Sequence, residues 1–138
     1  MKKELSILLI EDDAIEVMKF KRVISNLDIR CSVKEARDGE EALKQLDIKD
    51  QLLPDIILLD LNMPKISGLE FLKILKNNDN LKYIPTIILT TSSNRKDMLD
   101  CYKVGVSGYM LKPLRYEDYV SKITKTLNYW FENELISA

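Results

Sequence analysis

The chain has 138 residues, of which 46% are hydrophobic and 31% charged, and its net charge is −1. This length fits one globular domain with its own core, and the spread of charge excludes a nucleic-acid groove or an anionic membrane as the main binding surface. The sequence contains no histidine, which excludes Ser-His-Asp catalysis and His-ligated metals, so any phosphohistidine must come from a partner protein.

Apolar, β-branched runs alternate with segments of helical period, a pattern typical of a parallel sheet with helices on both faces. In chain order it predicts strand 5–10, helix 15–27, strand 31–36, helix 40–48, strand 55–59, helix 68–77, strand 85–90, helix 96–104, strand 108–111 and helix 116–134. Turn residues such as Asp38-Gly39 and Ser67-Gly68 mark the boundaries. We therefore predict a doubly wound α/β sandwich that occupies residues 1–138 as a single domain, with an extended C-terminal helix at about residues 116–134.

The last helix carries more aromatic residues than one buried face can hold. Tyr129, Trp130 and Phe131 are consecutive and would fan over about 200° of a helix, so at least one is expected to face a partner. The alternative is that the chain end wraps the domain edge or frays. The stripe at helical spacing that we expect to face the core is Val120, Ile123, Leu127 and Trp130.

The cysteines and the N-terminal segment bear on where the protein works. Cys31 and Cys101 form no CxxC pair, so neither a disulfide framework nor a zinc site is indicated. The first apolar run is too short for a signal peptide, and no run is long enough for a transmembrane helix. We expect a cytoplasmic protein that binds neither membrane nor nucleic acid.

Polar side chains stand where four of the predicted strands end. Glu11 and Asp12 follow the first strand, Asp60 follows the third, Thr90 closes the fourth and Lys112 follows the fifth. Because the carboxyl ends of parallel strands share one edge, three carboxylates, a hydroxyl and an ammonium are expected together there.

The charges of these groups limit the chemistry of the site. Two like charges about 4 Å apart repel by about 4 kcal/mol at an effective dielectric near 20, so three carboxylates require cations. Lys112 and one divalent ion would neutralise them, and an all-oxygen site favours Mg²⁺ or Mn²⁺ over zinc. Such a site suits phosphoryl transfer, with Asp60 as nucleophile, Lys112 holding phosphoryl oxygens and Thr90 donating a hydrogen bond.

Each residue, taken alone, also has a plain structural explanation. Asp13, with Glu16 three residues later, forms an Asp-x-x-Glu signature that predicts the N-cap of the first helix. The others could be solvated loop acids, a polar strand end, a β-former and a turn residue. Their coincidence at one sheet edge favours a functional site. The residues with these alternatives are Glu11, Asp12, Asp60, Thr90 and Lys112.

The motifs ILLIEDD, PDIILLDLNMPKISGLEFL, IPTIILTT and GYMLKP resemble those of response-regulator receiver domains over nearly the whole chain. The resemblance implies a flavodoxin-like fold, with a five-stranded parallel sheet in the order 2-1-3-4-5. It also implies a stand-alone response regulator of a two-component phosphorelay, similar to single-domain chemotaxis regulators.

The resemblance also assigns roles around the metal. Asp60 would be the phosphoacceptor. Asp12 would bind Mg²⁺ directly, Glu11 mainly through a coordinated water, and the main-chain carbonyl of Asn62 would be a further ligand. Asn62 and Ser92 occupy positions that tune the lifetime of the aspartyl phosphate in this family.

Further roles follow for the ends of the last two strands. Thr90 would be the switch hydroxyl, Tyr109 the aromatic that turns inward on activation, and Lys112 the phosphate-binding lysine. The peptide bond between Lys112 and Pro113 is often cis in this family. Thr91 departs from the pattern, since many receivers have a smaller residue there, and its bulk is expected to narrow access to the site.

The resemblance implies partners as well. The phosphodonor would be a sensor histidine kinase or a phosphotransfer protein. With no effector domain expected, the signal would leave through a surface that binds a downstream protein or forms a homodimer through the last strand and helix. The aromatic end of the last helix and the TTSS segment resemble the single-domain regulators that work with bacterial phytochromes.

Two other functions remain to be weighed. A Mg²⁺-dependent phosphohydrolase of the haloacid dehalogenase type would need a second acid two residues after Asp60, where Asn62 stands. A binding module that no longer uses phosphorylation would not need the complete acidic and basic set. We therefore expect a protein that catalyses only its own phosphorylation and dephosphorylation.

Overall fold

The computed structural model describes residues 3–49 and 51–136, in which five strands and five helices alternate. The elements are β1 (Leu5–Ile10), α1 (Ala14–Ser25), β2 (Cys31–Ala36), α2 (Gly39–Leu46), β3 (Ile56–Leu59), α3 (Gly68–Lys76), β4 (Thr86–Thr90), α4 (Arg95–Val104), β5 (Gly108–Leu111) and α5 (Tyr116–Phe131). All strand pairs are parallel, and the order β2-β1-β3-β4-β5 confirms the predicted sheet.

The element bounds differ from the predicted ones mainly at helix ends. β4 begins one residue later than predicted, at Thr86, since Pro85 has no N–H to donate to the ladder. The prediction that the last helix reaches residue 134 was wrong by three residues, because α5 ends at Phe131. There the side-chain amide of Asn133 donates to the carbonyl of Tyr129 at 2.6 Å, which satisfies a helix-end carbonyl without another turn.

The sheet separates two apolar layers, and alternate residues of β1 point into opposite layers, as the period of a strand requires. Leu5, Ile7 and Leu9 pack with α1 and α5. Leu8 and Ile10 pack with α2, α3 and α4. Both sheet faces are therefore covered, and the carboxyl edge is left for polar residues.

Side chains cap the first four helices and so set where each chain segment leaves this edge. The capping residues are Asp13, Asp38, Ser67 and Asn94. Asp38 accepts from the backbone N–H of Glu41 at 2.8 Å, and this bond lowers the pKa of its carboxyl. In the two described ranges, no helix has the length and apolar character needed to cross a membrane.

Candidate functional site

Three carboxylates meet where β1 and β3 end. One oxygen from each of Glu11, Asp12 and Asp60 lies within 4.8 Å of the others. The pairing of β1 with β3 places Ile10 opposite Leu59, so the residues that follow these two positions are neighbours. Glu11 and Asp60 are 5% and 8% exposed, whereas Asp12 is exposed. Two acids thus form the floor of the site and Asp12 stands at its mouth.

Lys112, directly after β5, sends its ammonium into this acidic cluster. Its Nζ lies 2.5 Å from Glu11 Oε1, 3.4 Å from Glu16 Oε1 and 3.6 Å from Asp60 Oδ2. The backbone N–H of Lys112 donates to the carbonyl of Thr90 at 2.8 Å, which fixes the end of β5 against β4. The side chain of Lys112 is only 8% exposed, so its charge acts with little screening from water.

Burial and pairing act in opposite directions on these groups. Burial raises the pKa of Glu11 to about 7, although the hydrogen bond and the charge of Lys112 lower it. For Lys112, burial disfavours the charged form, but the hydrogen bond and charge of Glu11, followed by the charges of Asp60 and Glu16, leave its pKa raised. The carboxylates are therefore short of positive charge with Lys112 alone, and a divalent cation would supply the rest.

The loop that follows β3 ends at Gly68, where the neighbouring backbone leaves no room for a side chain. The N–H of Asn62 donates to Asp60 Oδ1 at 3.3 Å, and the N–H of Gly68 donates to the carbonyl of Leu61 at 3.1 Å. A Cβ on Gly68 would lie 2.6 Å from the Cα of Leu61 and 2.7 Å from the carbonyl oxygen of Asp60. Gly68 is thus required for the backbone that carries Asp60. The assignment of the Asn62 carbonyl as a metal ligand stays a prediction.

Asp13 is the N-cap of α1, as predicted, and its side chain accepts from the N–H of Ile15 at 2.9 Å. Glu16, the second residue of the expected capping pair, does not bond to the backbone N–H of Asp13. The N–H of Asp13 donates at 3.3 Å to Glu11, while Glu16 turns toward Lys112. Glu16 is therefore a member of the site that sequence reasoning missed. The signal available was its place in the first turn of α1, a helix that begins directly after the acids at the end of β1.

Thr90, Ser92 and Tyr109 form a connected group beside the acids. Thr90 is fully buried, and its hydroxyl oxygen accepts from the N–H of Ser92 at 3.3 Å. The half-buried Tyr109 donates its hydroxyl to the carbonyl of Ser92 at 2.8 Å and packs on the α2, α3 and α4 side of the sheet. The loop after β4 is thus tied to both β4 and β5, and Thr91 is exposed on it.

The peptide bond between Lys112 and Pro113 differs from the form that is often found in the family. Among the described residues no peptide bond is cis, so this one is trans. The trans form is the one that X-Pro bonds favour, by roughly 0.5–1 kcal/mol.

The donor set suits a hard divalent cation. Glu11, Asp12 and Asp60 offer oxygen atoms alone, and oxygen donors are preferred by Mg²⁺ and Mn²⁺. The exposed position of Asp12 gives an ion a route into the cluster. The residues present therefore fit a divalent metal.

Known proteins resemble this chain in sequence and fold over nearly its whole length. The family described as the response regulator receiver domain matches residues 7–124. The chain is 32% identical to the response regulator Rcp1 of Synechocystis sp. over 136 residues, covering 96% of this chain and 92% of that protein. It is 35% identical to the probable methanogenesis regulatory protein FilR2 of Methanothrix harundinacea over 127 residues, covering 90% and 82%.

Solved structures of response regulators have the same fold as this chain. The phosphorylated cyanobacterial phytochrome response regulator RcpA has a TM-score of 0.89 at 30% identity, with 98% of this chain and 99% of that chain covered. The Mn²⁺-bound form of Rcp1 has a TM-score of 0.88 at 32% identity, with 96% and 99% covered.

Proposed function

The chain belongs to the response regulator receiver domain family of two-component signalling, and on this premise we propose that it accepts a phosphoryl group on Asp60 from the phosphohistidine of a partner protein. The observation that carries the proposal is the meeting of Asp60 with Glu11 and Asp12 within 4.8 Å and with Lys112 at 3.6 Å. A nucleophilic carboxylate, anionic metal ligands and an ammonium are the parts that transfer to an aspartate needs.

In the proposed step, an oxygen of Asp60 forms a bond to phosphorus as the bond between phosphorus and the partner's imidazole nitrogen breaks. The electron pair of the broken bond stays on that nitrogen. Lys112 would hold the phosphoryl oxygens as a point charge. Thr90 would donate its hydroxyl hydrogen to a phosphoryl oxygen, since its oxygen already accepts from Ser92. The protein would thus catalyse only its own phosphorylation and dephosphorylation.

The metal proposed for the site is Mg²⁺, with Mn²⁺ as a substitute. Glu11, Asp12 and Asp60 would hold it together with the main-chain carbonyl of Asn62. Support comes from the oxygen-only donor set and from the Mn²⁺-bound form of Rcp1, to which this chain is 32% identical. When bound, the ion neutralises carboxylate charge and phosphoryl oxygen charge.

The output would be a change in a protein-binding surface. Thr90 and Tyr109 both contact Ser92, so a phosphoryl group that pulls on Thr90 would shift the loop after β4 and the packing of Tyr109. A downstream protein, or a second copy of the chain bound through β5 and α5, would recognise the shifted surface. The similarity to RcpA and Rcp1 supports a phytochrome-type sensor kinase as the phosphodonor.

The test is incorporation of phosphate from a small acyl phosphate. We expect the wild-type protein with Mg²⁺ and acetyl phosphate to gain one phosphoryl group by intact mass spectrometry, and Asp60→Asn to gain none. Asp79→Asn is the matched control, because Asp79 is an exposed acid in the turn after α3 and its loss should leave the adduct unchanged. No adduct on the wild type, or an equal adduct on Asp60→Asn, would refute the proposal.

A further inference from the structure

Glu16 is a fourth acid beside Lys112 and lies outside the group proposed to bind metal. Its Oε1 is 3.4 Å from Lys112 Nζ, and its side chain is 18% exposed. It belongs to the first turn of α1, whereas the three carboxylates that meet at the metal site follow β1 and β3. Lys112 is therefore shared between the metal-site acids and one acid on a helix.

Glu16 is held in this position from its other side. Its Oε2 lies 2.9 Å from Lys19 Nζ, and Lys19 Nζ in turn lies 4.5 Å from the ring centroid of Tyr119. Tyr119 is a buried residue of α5, so its ring is a fixed surface for the ammonium. The packing of α5 thus orders Lys19, and Lys19 orders Glu16, before any ligand enters the site.

Counting charges shows what Glu16 adds. With a divalent cation present, Glu11, Asp12, Asp60 and Glu16 carry four negative charges, which the ion, Lys112 and Lys19 balance. The ion and the Lys112 ammonium both need the oxygens of Glu11 and Asp60, and they repel each other at this distance. Glu16 is the neighbour of Lys112 that is not among the three clustered carboxylates.

We propose that Glu16 is a positioning residue that receives the Lys112 ammonium when a divalent cation takes the Glu11 and Asp60 carboxylates. Lys112 then stays beside Asp60, where a phosphoryl group would need it, instead of competing with the ion. The use of this arrangement in phosphoryl transfer rests on the proposed function, but the exchange of partners by Lys112 does not.

The test is a double-mutant cycle on Mn²⁺ affinity, read from the electron paramagnetic resonance signal of free Mn²⁺. We expect Glu16→Gln to weaken Mn²⁺ binding about five-fold, because Lys112 then remains on Glu11 and Asp60. In a Lys112→Met background no ammonium competes, so the same change should cost less than about twofold. An equal loss in both backgrounds would overturn the proposal, because Glu16 would then act only through its long-range charge.

Glu16→Asp tests whether the length of the Glu16 side chain matters apart from its negative charge. It keeps the negative charge but is one methylene shorter, so it should lose its contact with Lys112 and weaken Mn²⁺ binding nearly as much as Glu16→Gln. Wild-type affinity in Glu16→Asp would contradict the proposal. Thermal unfolding of each variant checks that the fold is kept. If Glu16 had only a structural role, its variants would instead lose stability.

This experiment requires no phosphoryl transfer, so its outcome is independent of the test of function. Coupling between Glu16 and Lys112 in a protein that acetyl phosphate does not label would refute the proposed function and support the positioning role. If acetyl phosphate labels the protein but Glu16 and Lys112 are not coupled, the proposed function is supported and the positioning role is refuted.

Discussion

Three consecutive acids, at residues 11–13, have three different environments. Glu11 is buried and paired with Lys112, Asp12 is exposed at the mouth of the site, and Asp13 caps α1. Each charge has a partner or solvent of its own, which makes the run tolerable at the end of a buried strand. Neighbouring positions with the same chemistry are therefore expected to respond differently to substitution.

We predict that Asp12→Ala abolishes divalent metal binding and phosphorylation while leaving the fold intact. Asp13→Ala should instead cost about 1 kcal/mol of unfolding free energy, the usual value of a lost N-cap, and keep both activities. Mn²⁺ titration and urea unfolding of the two variants measure these effects. Metal binding by Asp12→Ala at wild-type affinity would show that the ion is held elsewhere.

At the level of single residues, the sequence predicted the acids, Thr90 and Lys112 at one edge, and the structure places them there. It did not predict that Glu16 turns to Lys112, because the same Asp-x-x-Glu letters describe a capping pair. The difference arises because Glu11 already accepts from the N–H of Asp13, which only a three-dimensional contact reveals.

Among the elements, the connection from β3 to α3 has the least room for change. We predict that Gly68→Ala destabilises the protein by about 1–3 kcal/mol, because the new methyl group would strike the backbone of Asp60 and Leu61. The same displacement should weaken Mn²⁺ binding. Urea unfolding and Mn²⁺ titration measure the two effects.

Gly108→Ala is the matched control for this glycine. A Cβ there would have its nearest contact at 3.5 Å, with a side-chain carbon of Ile87, which is ordinary packing, and alanine is favoured over glycine inside a strand. Its stability should be unchanged or slightly higher. If both alanine variants behave alike, the close approach of Gly68 to the Asp60 backbone is not what requires glycine.

The types of the elements follow from the period of apolar residues, but their ends do not. Strands β1, β2 and β5 have the predicted bounds. Helix ends depend on single hydrogen bonds, as at Asn26, whose amide donates to the carbonyl of Arg22. No hydrophobic period encodes such a bond.

For the whole molecule, the two apolar layers decide which substitutions reach the core. Leu127 is fully buried between α5 and the sheet, and Leu127→Ala should cost about 2–5 kcal/mol. Tyr129, two residues later, is 62% exposed, and Tyr129→Ala should change stability by less than about 0.5 kcal/mol. Urea unfolding followed by circular dichroism measures both, and similar costs would contradict the described orientation of α5.

Of the three consecutive aromatic residues at the end of α5, one is exposed and two are half-buried. Trp130 and Phe131 are half-buried and pack on the α1 and α5 side, whereas Tyr129 faces outward. The sequence showed that three neighbours cannot share one face, but which one is exposed depends on the rotation of α5 over the sheet. The strand order likewise came from the family resemblance, because alternation of strands and helices is compatible with several orders.

The five helices are not anchored equally. The structure describes every residue of α4, and Cys101 alone among them is fully buried. In α3, by contrast, four residues are buried. Detaching α4 therefore exposes little apolar surface, and its opening should need less free energy than global unfolding. The Cys101 thiol, shielded in the closed state, would then report that opening through its rate of reaction with a thiol reagent under native conditions.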